Sequence, residues 1–86
     1  MKYSAFDKKT LIIGKMKSLT RSGIEKPIIL IRAFLTVPKV HQPVVLLLPD
    51  GREIETSNVI GVLLGGQTYI ETESTIYVDA RFWEAR

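Results

Sequence analysis

Apolar residues fall along this chain in short runs with a two-residue repeat, broken by proline and glycine, a pattern that predicts strands rather than helices. The sharpest case is Val44-Val45-Leu46-Leu47-Leu48, which is too short for a stable lone helix, begins with two β-branched residues and stops at Pro49. Pro49 can set the fixed φ of the first central turn position, Asp50 can hydrogen-bond nearby backbone, and Gly51 can take the positive φ of a G1 bulge. Across that turn Glu53, Ile54 and Glu55 alternate, so a hairpin is expected. Its first arm is apolar on both faces. Such a strand needs cover on both sides, from a second layer or from a partner.

The same pattern places further elements. Lys9 to Leu19 reads as an extended segment in which Gly14 suits a bulge or a sharp bend, and Leu19 to Pro27 as a basic loop turned at Ser22-Gly23. Ile28 to Val37 holds seven Ile, Leu, Val or Phe residues and reads as one strand buried on much of both faces. Within it Arg32 is an exposed strand edge, a partner for Glu71 or Glu73, or a binding residue. Pro38 to Pro43 is a stiff crossing. Val59 to Leu64 is a curved strand or a short helix capped by Ser57 or Asn58, and Gly65-Gly66-Gln67-Thr68 is a turn. From Tyr69 to Asp79, Ile70, Ile76 and Val78 share one parity, while Tyr69, Glu71, Glu73, Tyr77 and Asp79 share the other. Two short arms turning near Glu73-Ser74 fit this alternation, as does a single bent strand. Phe82 and Trp83 close one end of the structure or mark a surface contact.

The expected fold class is therefore all-β: a small, highly bent antiparallel barrel of SH3-like size, or a mini-sandwich, with five to six short strands. Residues 1–8 are expected to form a flexible leader and residues 9–86 a single small β domain, because 86 residues suffice for one core. A closed barrel covers only one side of each strand, so apolar side chains remain at Ile28, Leu30, Phe34, Val45 and Leu47. Together with Trp83 these form the expected protein interface, with a homodimer or another protein as partner.

Composition and charge narrow the chemistry. The chain has no cysteine and one histidine, so no disulfide framework is available and no metal or small-molecule cofactor is expected. No serine sits in a nucleophile elbow, and His41 stands on a proline-flanked loop without a partner nucleophile. The paired acids Glu53/Glu55 and Glu71/Glu73 would each share a strand face, a geometry also found on any solvated sheet. With no signal-like N-terminus and no membrane span in the sequence, a cytoplasmic location is expected. The net charge of +3 conceals a gradient: residues 1–43 carry +7 and residues 44–86 carry −4. Basic and acidic faces of that kind can meet head to tail. The expected function is a non-enzymatic protein-interaction or structural module that self-associates. The alternative is a small nucleic-acid-binding β-barrel contacting phosphates through Lys15, Lys17, Arg21, Lys26 and Lys39, joined by Lys8 and Lys9.

Overall fold

The computed structural model describes residues 11–63 and 69–80. The expected leader, the Gly65-Gly66 turn, Lys8, Lys9 and the Phe82-Trp83 pair lie outside these residues. Among the described residues eight strands form in the order β1 (Ile12–Lys17), β2 (Glu25–Ile31), β3 (Ala33–Phe34), β4 (Val45–Leu47), β5 (Glu53–Glu55), β6 (Val59–Leu63), β7 (Tyr69–Thr72) and β8 (Ile76–Asp79). They make two sheets, a five-stranded one ordered β1-β2-β8-β7-β6 and a three-stranded one ordered β3-β4-β5. The domain is all-β and sandwich-like, with more and shorter strands than the five or six expected.

Local chemistry builds the hairpins. In the β4–β5 turn the Gly51 N–H donates to the Leu48 carbonyl at 2.9 Å and the Leu48 N–H to the Arg52 carbonyl at 2.8 Å, with Gly51 at φ +93°. This is the bulged turn that Pro49-Asp50-Gly51 predicts. Asp50 fixes it further by accepting the Arg52 N–H at 3.0 Å. In the β1–β2 hairpin the bulge falls where Gly14 suggested: Ile12 opposes Ile29 and Gly14 opposes Ile28, leaving Ile13 as the extra residue. β2 starts earlier than the loop reading allowed and contains Pro27. The Ser18 N–H donates to the Ile24 carbonyl at 2.8 Å, which sets the phase of the ladder. Pro27, opposite Lys15, therefore occupies a position where no N–H is needed toward β1.

Two expectations change. The run Ile28 to Val37 does not stay in one sheet: β2 ends at Ile31, exposed Arg32 turns the corner, and β3 begins at Ala33 in the second sheet. The Arg32 N–H now donates to the Leu47 carbonyl at 2.7 Å. One chain segment thereby links both layers, as corner strands do. The pairing is also not antiparallel throughout, since β8 runs parallel to β2 from Ile28–Ile76 to Ile31–Asp79. Between them the chain crosses to the second sheet and returns through β6 and β7, which is the long connection a parallel pair requires. Val59 to Leu63 is a strand, bulged between Val59 and Gly61 in its pairing with β7.

The main core lies between the sheets: Ile29, Ile31, Val59, Ile70 and Tyr77 from the larger meet Val44, Leu46, Leu48 and Ile54 from the smaller sheet and its flanks. A second cluster of Ile28, Ile76 and Val78, with Met16, Leu30 and Tyr69 packed against it, occupies the other face of the larger sheet. The expected single inward parity of Ile70, Ile76 and Val78 is thus divided. Ile70 opposes Tyr77 while Glu71 opposes Ile76, so crossing the hairpin turn exchanges odd and even faces.

Candidate functional site

Lys26 and Glu71 form a buried ion pair. Lys26 shares parity with Ile28 and Leu30 on β2, and Glu71 lies on β7 opposite Ile76. Their side chains are 5% and 0% exposed, and Lys26 Nζ lies 2.6 Å from Glu71 Oε2. Lys26 Nζ also donates to the Thr72 carbonyl at 2.8 Å. Three donors close over the carboxylate from the start of the β1–β2 turn: Ser18 Oγ to Oε2 at 2.6 Å, Thr20 Oγ1 to Oε2 at 3.1 Å, and the Leu19 N–H to Oε1 at 2.6 Å. Gly61 on β6 makes this closure possible. A Cβ there would stand 2.9 Å from the Thr20 methyl and 3.8 Å from Glu71 Cβ.

Burial alone would raise the Glu71 pKa, but the bonds from Lys26, Ser18, the Leu19 N–H and Thr20 outweigh it and bring the group down to about 2. The carboxylate is thus held charged and saturated. A general acid or base needs a reachable proton site, whereas this group anchors the turn to the sheet. Glu73 is separated from it: β7 ends at Thr72, and Glu73 sits exposed in the turn, 3.4 Å from Arg21 Nη2. The expected pairing of Glu71 and Glu73 on one face is therefore corrected; of the readings of Arg32, the exposed one agrees with the structure, since Glu71 pairs with Lys26 and Glu73 with Arg21. Sequence reasoning did not find the Lys26–Glu71 pair. The available signal was a lysine at the same parity as two apolar residues of its own strand.

The residues expected at an interface are dispersed. Ile28 is enclosed in the second cluster, Leu30 packs beside it, and Phe34 packs against the main core. Trp83 lies outside the described residues. Val45 and Leu47 do come together, half-buried on the outer face of β4 while Leu46 points inward. Ala33 opposes Leu47 and the Leu35 N–H donates to the Val45 carbonyl at 2.8 Å, so both flank them. Leu35 is 45% exposed and was missed, because the segment read as a doubly buried strand.

Of the expected phosphate-binding cations, Lys15, Lys17, Arg21 and Lys39 are exposed, whereas Lys26 is inside with Glu71. Lys17 and Arg21 border a depression at the β1–β2 turn whose wall also includes Glu25. Among the described residues no three His, Cys, Asp or Glu come together to hold a metal ion, and no helix is long and apolar enough to cross a membrane. No protein family, curated protein or solved structure matches the chain.

Proposed function

We propose that the domain is a non-enzymatic protein-interaction module that self-associates through the outer face of its three-stranded sheet. The observation that carries this reading is the half-open apolar strip of Leu35, Val45 and Leu47, flanked by Ala33. A two-layer sandwich has two outer faces. On the larger sheet that face buries Ile28, Ile76 and Val78 and leaves Leu63 open on β6; on the smaller, Leu35 is open and Val45 and Leu47 are half-buried side by side. Light scattering during size-exclusion chromatography tests the proposal. The expected result is a mass that rises with concentration for the native chain and a monomer for Leu47→Asp. A native chain that stays monomeric at every concentration overturns it.

Nucleic-acid binding has weaker support. The exposed cations Lys15, Lys17 and Arg21 lie near one another in sequence, but Arg21 faces Glu73, Glu25 shares their surface, and residues 12–24 contain no aromatic side chain on which a base could stack.

A further inference from the structure

Two strands end the sheets with complementary charge. β1 is the outer strand of the larger sheet and carries Lys15 and Lys17; β5 is the outer strand of the smaller and carries Glu53 and Glu55. All four side chains are exposed. Among the described residues no strand pairs beyond either one.

Ladder phase decides which backbone groups these edges present. In β1 the bond from the Ser18 N–H to the Ile24 carbonyl puts Gly14, Met16 and Ser18 in the positions that exchange bonds with β2. In β5 the bonds from the Thr56 N–H to Val44 (2.9 Å) and from the Leu48 N–H to Arg52 (2.8 Å) do the same for Arg52, Ile54 and Thr56 toward β4. The N–H and C=O groups of Lys15, Lys17, Glu53 and Glu55 therefore point away from their own sheets.

We propose that β1 of one copy pairs antiparallel with β5 of a second copy, Lys15 opposite Glu55 and Lys17 opposite Glu53. Both are positions where facing residues exchange two backbone hydrogen bonds, so the register satisfies all four outward residues at once. It also sets each ammonium beside a carboxylate on the same face. Lys17 already faces Glu25 on β2 and would lie between two acids, while Arg52 is engaged by Asp50 at 2.7 Å. Like edges are kept apart: β1 against β1 places lysines together, and β5 against β5 places glutamates together. The two edges are different surfaces of the chain, so an open assembly of any length ends in one free β1 and one free β5. The contact is heterologous and builds a ring or a fibre rather than a two-fold dimer.

This inference rests on the self-association proposed above and adds an edge contact to the outer-face contact, the two being required together, so that loss of either leaves a monomer. Lys15→Glu/Lys17→Glu and Glu53→Lys/Glu55→Lys are expected each to be monomeric by light scattering at low salt. An equimolar mixture restores assembly, because each β1 then finds an oppositely charged β5 on the other variant. Far-UV circular dichroism checks that both fold. Should a double variant lose its β spectrum, Lys15→Glu and Glu55→Lys, which make up one facing pair, replace it in the same mixing experiment. Variants that assemble like the native chain, or monomers whose mixture stays monomeric, overturn the edge pairing. If they assemble while Leu47→Asp does not, the outer-face reading survives without it; if the mixture recovers while Leu47→Asp also assembles, the edge pairing survives without the outer face. A native chain that is always monomeric removes both.

Discussion

Removing the charge of Glu71 leaves an ammonium inside the domain with no anion beside it. Glu71→Gln is expected to cost about 3 kcal/mol, read as a lower urea midpoint, with most of the cost coming from the unpaired Lys26. The pH dependence has a definite sign. The folded pKa of about 2 lies below the ordinary glutamate value of 4.5, so the stabilisation is complete above about pH 5 and is lost as pH falls toward 2. Its size is roughly 3 kcal/mol, and in Glu71→Gln the acid limb of the stability profile flattens. Gly61 offers a second test of the same arrangement. Gly61→Ala pushes its Cβ into the Thr20 methyl, 2.9 Å away, and is expected to cost on the order of 1–2 kcal/mol. Thr20→Ser added to it removes that methyl but keeps the hydroxyl for Glu71, and should recover most of the loss in a double-mutant cycle.

At the scale of elements, the hairpins are the most local part of the structure. Gly51 holds φ +93°, so Gly51→Ala is expected to lower stability by about 1 kcal/mol in thermal unfolding, although open space surrounds the site. Turn chemistry of this kind is legible in sequence because it depends on neighbouring residues: Pro49-Asp50-Gly51 and the Gly14 bulge were both read from it. Where the outcome depends on the other layer, the pattern misleads. Ile28 to Val37 looks like one strand, and only the presence of a second sheet explains why it bends at Arg32. From Tyr69 to Asp79 the apolar Ile70, Ile76 and Val78 keep one parity, yet Glu71 and Ile76 share a face because the register across the turn pairs an odd residue with an even one.

For the whole molecule, the difference between Leu46 and Leu47 is the difference between core and surface. Leu46→Asp places a carboxylate between the sheets and is expected to prevent folding, whereas the Leu47→Asp monomer is expected to retain a denaturation midpoint within about 1 kcal/mol of the native chain. Circular dichroism in urea separates the two, and is needed before any loss of assembly in Leu47→Asp is assigned to the surface. Such a result would locate the contact on an outer face without disturbing the interior that supports it.

Alternating apolar residues and the proline and glycine breaks among them determined that this chain folds as short strands with tight turns, since strand period and turn conformation are set by residues next to one another. The division into two sheets, the parallel β2–β8 pair and the burial of Lys26 with Glu71 were decided only by tertiary structure. These depend on which strands become neighbours after the chain has crossed between layers, and a charge can stay inside only where distant residues, here Ser18, Leu19, Thr20 and Thr72, supply its hydrogen bonds.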